Sequence, residues 1–137
     1  MPLQIPFLLH VLIELPASLK FFFNPSSGLT THTQTVKVTK SDAGTLSPEV
    51  VLVIRQYAIL LFTSVLISAS FVAREPDNLS KWVGGCLGLY HAGPIWRAIW
   101  RISRDNTLRI TRHDMGGPVV HLGVHSTILF AFLYMLV

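Results

Sequence analysis

His10, Glu14, Arg55, His91, His121 and His125 all stand inside long apolar stretches of this 137-residue chain. Imidazole exchanges a proton near neutrality, a carboxylate does so at lower pH, and a guanidinium stays charged throughout. A charge facing hydrocarbon costs at least about 2.5 kcal/mol, so ionisable groups in such stretches face one another or a polar cavity. Spacing narrows the options. His10 and Glu14 are four residues apart, as are His121 and His125, so each pair shares one face of a helix. Glu14 is the acid set deepest in any apolar stretch and Arg55 the base farthest from an end, which predicts a Glu14–Arg55 ion pair. Tyr57 and Tyr90 add phenolic hydroxyls nearby in sequence, and Gln56 an amide.

The chemistry open to this set is acid–base catalysis. Glu14 would serve as general base or carboxylate nucleophile, with Arg55 fixing its charge state. His91, His125 or Tyr57 would give a proton to a developing oxygen, with His10 beside Glu14 as a further member. No cofactor is needed for such a reaction. A second reading uses His10, Glu14, His91, His121 and His125 as ligands to a metal, or two of the histidines as axial ligands to a haem. A third is a non-catalytic membrane assembly subunit.

The elements that must position these groups are four apolar segments, at about 4–23, 49–73, 82–102 and 118–137. Each is about 20 residues or more, the length that crosses hydrocarbon at about 1.5 Å per residue. Half of all residues are hydrophobic and 13% are charged, against about a quarter charged in a soluble domain. The expected fold is therefore all-α, an integral-membrane four-helix bundle forming one domain over 1–137. The first segment lacks the basic leader and cleavage site of a signal peptide, so it is expected to stay as a helix. Glu14 then lies about 15 Å into its helix, near the midplane, with His91 at similar depth.

Local signals mark the helix ends. Ser47-Pro48-Glu49 is a helix start with Ser as N-cap and Pro at the first position. Asn78 or Ser80 is expected to cap the third helix, and Gly116-Gly117-Pro118 breaks the chain before the fourth. Pro16 and Pro94 each remove a backbone donor beside Glu14 and His91. Gly84, Gly88 and Ala92 form a small-residue stripe that admits a neighbouring helix, with Cys86 expected to pack among the glycines. The loop 24–48 is polar, holds His32, and has a short alternating run at 35–39.

The net charge of +4 does not point to nucleic acid, because the bases cluster beside the apolar segments. Orientation and anionic lipid account for them. Lys37, Lys40, Arg104, Arg109 and Arg112 predict that loops 24–48 and 103–117 are cytoplasmic, with both termini across the membrane, in the endoplasmic reticulum. The tripeptide Asn78-Leu79-Ser80 is a glycosylation sequon on that far side, too near the spans to be used. Trp96 and Trp100 with Arg97 and Arg101 are expected as an interfacial anchor. The partners implied are the lipid bilayer and an apolar small molecule; nothing in the sequence sets an oligomeric state.

His10-x-x-x-Glu14, Arg55-Gln56-Tyr57, Tyr90-His91 and His121-x-x-x-His125, set in four spans of a chain this size, resemble the small membrane-bound epoxide hydrolases and cyclases of fungal secondary-metabolite pathways, of the aurovertin and citreoviridin type. The resemblance lies in the architecture of the whole chain. It implies hydrolysis or cyclisation of a polyene epoxide without a cofactor, the substrate being an apolar polyketide or terpenoid.

Overall fold

The computed structural model describes residues 3–26, 46–105 and 117–137. His32, the alternating run 35–39 and most of the two loops expected to be cytoplasmic lie outside the described residues. Among the described residues there are four helices: α1 Ile5–Phe23, α2 Pro48–Phe71, α3 Asn78–Asp105 and α4 Gly117–Tyr134. No strand occurs among the described residues. The all-α reading holds, and each helix falls on one of the four apolar segments.

The helix ends follow from local chemistry. The Ser47 hydroxyl accepts from the Val50 amide at 3.4 Å, which makes it the N-cap of α2 ahead of Pro48. At α3 the cap is Asp77, one residue before the expected Asn78. Its carboxylate accepts the Ser80 amide at 2.7 Å while the Ser80 hydroxyl accepts the Asp77 amide at 2.9 Å. That reciprocal box uses Ser80 as the returning partner and not as the cap. The Ser80 amide, with the Arg74 guanidinium beside it, holds the Asp77 carboxyl below the usual carboxylate range. Ser80 is buried in this box, so the sequon hydroxyl is committed to the helix start. Gly117 opens α4 with φ 74°, a conformation that a side chain resists and glycine does not. Both α1 and α3 continue through their internal prolines.

Three helices, α1, α2 and α4, are long and apolar enough to cross a membrane. The 28-residue α3 is long enough but carries Lys81, Arg97, Arg101 and Arg104 along with its glycines, so its composition is less apolar than the other three. Outward-facing side chains supply the physical argument for lipid. On α2, Leu52, Val53, Ile59, Leu60, Leu66 and Ile67 are all exposed. An apolar surface of that extent is unsuited to water and suited to hydrocarbon. On α3, Trp82 in the second turn and Trp96 nine residues before the end are each about three-quarters exposed. The Arg104 guanidinium lies over the Trp100 ring, 4.8 Å from its centroid, in keeping with an amphipathic anchor at the headgroup level.

The chain divides into two compact units, one of Met1–His10 with Ser68–Val137, the other of Val11–Ile67. In the first, α3 packs along α4. Gly84 and Gly88 face the ring of Phe132, and a Cβ placed on Gly88 would stand 3.1 Å from the Phe132 Cβ. This is the close approach that the small-residue stripe predicts. Cys86 departs from expectation: it is exposed, turned away from the contact. Phe7 stacks on Phe71 at 5.2 Å and meets Phe132 edge-on at 5.2 Å. Gln4 binds the ends together, its amide nitrogen donating to Val72 O at 2.9 Å and its side chain to Arg74 O at 2.8 Å. In the second unit, Ala58, Leu61 and Val65 form a narrow buried stripe on α2, and Phe21 lies 6.1 Å from Tyr57 between ring centroids.

The glycine contact makes a paired prediction. Gly88→Val should lower the melting temperature in detergent, at a cost of about 1–3 kcal/mol, because the Phe132 Cβ cannot rotate aside. Gly123→Ala, which meets nothing within 4 Å, should be neutral or stabilising by up to about 1 kcal/mol through helix propensity. Equal melting temperatures for the two variants would contradict the packing described here.

Candidate functional site

Three imidazoles meet in the interior of the first unit. His10 Nδ1 lies 2.9 Å from His91 Nε2, and His91 Nδ1 lies 2.8 Å from His125 Nδ1. Each distance is that of a hydrogen bond. The three residues come from three helices, α1, α3 and α4, and all are buried, His10 and His91 completely. His121 extends the array along α4: its ring is nearly parallel to that of His125, 8° apart with centroids at 5.9 Å. His121 is half-buried and stands one turn nearer the start of α4.

The surroundings explain why the rings hold these positions. Phe132 lies against the array, 6.2 Å from His10 and 6.3 Å from His91 between centroids. Tyr90 meets His10 edge-on at 5.9 Å. The same Phe132 ring is seated on Gly84 and Gly88, so the glycine stripe of α3 sets how closely α4 brings His125 to His91. His10 follows Phe7 by three residues on the buried face of α1, and Glu14 and Ser18 continue that face. Packing by rigid aromatic rings restricts the imidazole rotamers, and the two N···N contacts fix the ring planes.

The array constrains the chemistry. A neutral imidazole has one N–H and one acceptor nitrogen. His91 uses one nitrogen toward His10 and the other toward His125, so it is an internal link. The sequence put His91 among candidates for direct proton donation; in this arrangement the outer rings, His10 and His125, are the ones with a nitrogen directed outside the array. Ligation of one ion by all three rings does not fit either, since the two nitrogens of His91 point in opposite directions. A bis-histidine haem would need axial nitrogens about 4 Å apart with the macrocycle between them, and the distances of 2.8 and 2.9 Å leave no such gap. The group among the described residues that could hold a metal ion is His10, Glu14 and His91, all buried, with ligand atoms within 4.8 Å of one another.

The remaining sequence-predicted residues divide clearly. Glu14 is buried, one turn beyond His10 on the same face of α1. Arg55 is exposed on α2, and no ion pair joins it to Glu14 among the described residues. The reason is rotational: the buried stripe of α2 is Ala58, Leu61 and Val65, and Arg55 lies about a quarter turn away from it at 3.6 residues per turn. Gln56 is exposed with it. Tyr57 is 38% exposed and packs near Phe21 in the second unit. Three buried polar residues escaped the sequence reading. Gln4 clamps two carbonyls, the Ser18 hydroxyl donates to Leu15 O at 2.8 Å, and Ser68 is fully buried on α2 with a hydroxyl that has no hydrogen-bond partner among the described residues. A polar residue within an apolar stretch was the available signal for all three. No protein-family model matches this chain, and neither a curated protein nor a solved structure is found to be similar to it.

Proposed function

We propose that this chain is an integral-membrane enzyme that performs acid–base chemistry on an apolar small molecule, with the buried histidine array as its proton-handling group. The observation that carries the reading is the continuous contact of His10, His91 and His125 in an apolar interior. Polar side chains buried in an apolar interior are costly unless hydrogen-bonded to one another, and intramembrane ionisable groups generally mark function. Acid–base catalysis needs a proton held at a defined atom and shielded from bulk water, which the array supplies.

Epoxide opening is the reaction that fits best, as the architectural resemblance also implies. An outer ring, His10 or His125, protonates the epoxide oxygen as the C–O bond breaks. A water molecule forms the new C–O bond and loses a proton to a base. The balance is epoxide plus water to diol; where an internal hydroxyl replaces water, the product is a cyclic ether. Glu14, buried one turn along α1 from His10, is the carboxylate assigned to the base. Arg55 is left out of this machinery because it is exposed. A polyketide or terpenoid substrate would reach the site from the bilayer, and the endoplasmic reticulum is the membrane proposed, with loops 24–48 and 103–117 cytoplasmic.

The test is turnover of a panel of long-chain and polyene epoxides by the protein in detergent or phosphatidylcholine vesicles, followed by mass spectrometry of the diol or cyclic ether. Wild type should convert at least one member, and Glu14→Gln should lose that conversion with its melting temperature retained. Absence of conversion across the panel, or full activity in Glu14→Gln, would discard the reading. Metal analysis of the same preparation addresses the His10, Glu14 and His91 group: a stoichiometric ion would favour metal-assisted chemistry over the imidazole acid.

A further inference from the structure

We infer that His10, His91 and His125 form a one-proton wire that switches between two neutral arrays, so that a proton taken up at one outer ring is matched by a proton released at the other. This deepens the acid–base reading and rests on it for its use, although the wire itself follows from the ring contacts alone.

Each N···N contact holds one hydrogen, and His91 has a single N–H when neutral. If His91 carries its proton on Nδ1, it donates to His125 Nδ1 and accepts at Nε2 from His10 Nδ1–H. His125 then carries its own proton on Nε2. If His91 carries its proton on Nε2, every bond reverses: His91 donates to His10 Nδ1, accepts from His125 Nδ1–H, and His10 carries its proton on Nε2. His10 and His91 therefore share one tautomer in both arrays, and His125 always has the other. No mixed array satisfies both contacts with neutral rings.

Conversion of the first array to the second conserves protons at every atom. A proton from water or a carboxyl group binds His10 Nε2. The His10 Nδ1–H bond breaks as His91 Nε2–H forms, the His91 Nδ1–H bond breaks as His125 Nδ1–H forms, and His125 Nε2–H releases its proton. Each ring begins and ends neutral, so no net charge is left in the apolar interior. The opposite passage is the same sequence reversed.

Position gives the wire its ends. His91 lies at the middle of α3, thirteen residues after Asn78 and fourteen before Asp105. His121 stands four residues after Gly117 and stacks on His125, which puts the His125 end nearer the start of α4 and its aqueous boundary. The His10 end is followed along α1 by Glu14. A proton given up by His10 Nε2 is thus matched by one taken up at His125 Nε2, and the return passage, with uptake at His10 Nε2 and release at His125 Nε2, reloads the donor. His121, half-buried and stacked on His125, lies between that boundary and the His125 end.

The wire is tested without substrate. Protein labelled with ¹⁵N in histidine, in phosphatidylcholine bilayers near neutral pH, is read by nitrogen NMR, which separates protonated from bare ring nitrogens. His10 and His91 should show the same tautomer and His125 the opposite one, or all three should show averaged shifts that keep this relation. Opposite tautomers at His10 and His91, a shared tautomer at His91 and His125, or a doubly protonated His91 in folded wild type would overturn the wire. His91→Phe, where it folds, should abolish the relation between His10 and His125; its persistence in that variant would also overturn it. Because the readout uses no turnover, an intact tautomer pattern without epoxide conversion would refute the proposed reaction and leave the wire standing.

Discussion

Replacing His91 by Phe should reduce the rate of the proton-dependent reaction by about 10²–10⁴-fold, the range that a positioned acid–base group contributes. His91 is within hydrogen-bond distance of both outer imidazoles, so its loss divides the array in two. A phenyl ring fills similar space beside Phe132 and Tyr90, and the change should therefore act on rate more than on packing. Some stability will still be lost. His10 Nδ1 and His125 Nδ1 would each lose the partner that His91 provides, at about 1–3 kcal/mol for a buried polar group left unsatisfied. The decisive comparison is His91→Ala assayed with added imidazole. A vacated site lined by two imidazoles and an aromatic ring can admit a small heterocycle, so imidazole should restore part of the rate while an isosteric ring without nitrogen does not. Restoration by both, or by neither with the fold retained, would show that His91 acts through packing and not through proton transfer.

Phe132→Ala should be the most destabilising single change in the first unit. The side chain is fully buried, it meets Phe7, His10 and His91 ring to ring, and it seats on two glycines that offer no side chain to close a void. Truncating a buried Phe costs about 3–5 kcal/mol, with the upper end expected where the site cannot collapse. The measurement is thermal unfolding in a fixed detergent, comparing Ala with Leu. Leu keeps most of the buried volume and should recover more than half the loss. The same variant should release the histidine rings, so the tautomer relation among His10, His91 and His125 should weaken in parallel with the melting temperature. A Phe132→Ala protein as stable as wild type would mean that the glycine stripe packs on something other than this ring.

The histidine array and the aromatic core are thus one construction. Gly84 and Gly88 permit Phe132 to approach α3, and that approach sets the distance between His125 on α4 and His91 on α3. The cost of placing imidazoles in an apolar interior is offset by their mutual hydrogen bonds.

Several features were legible in the residues because their causes are local. The helix starts at Ser47-Pro48 and Gly117-Pro118 depend on neighbours within three or four positions, and the apolar stretches depend only on composition. The cap of α3 was nearly legible: the expected cap is Asn78 or Ser80, and only the hydrogen-bond geometry shows Asp77, one residue earlier, as the capping carboxylate with Ser80 as the returning hydroxyl. The glycine stripe predicted a close helix contact correctly, but Cys86, set between glycines, faces outward, because residues two apart on a helix lie on opposite sides.

By itself the sequence determined that this is an all-α chain with apolar helices of membrane length, and that its histidines lie within them. Periodicity also put His10 with Glu14, and His121 with His125, on common helix faces. Only the tertiary structure decided which of those faces meet. The Glu14–Arg55 pair that charge complementarity predicts is not formed, because α2 buries Ala58, Leu61 and Val65 and leaves Arg55 exposed. The three-ring contact of His10, His91 and His125 depends on the rotation of three helices about their own axes and on sliding of α4 along the glycines of α3. Spacing along one helix fixes neither quantity. Both are set by the shapes of side chains that touch across helices, residues as far apart in the chain as Phe7, Gly88 and Phe132.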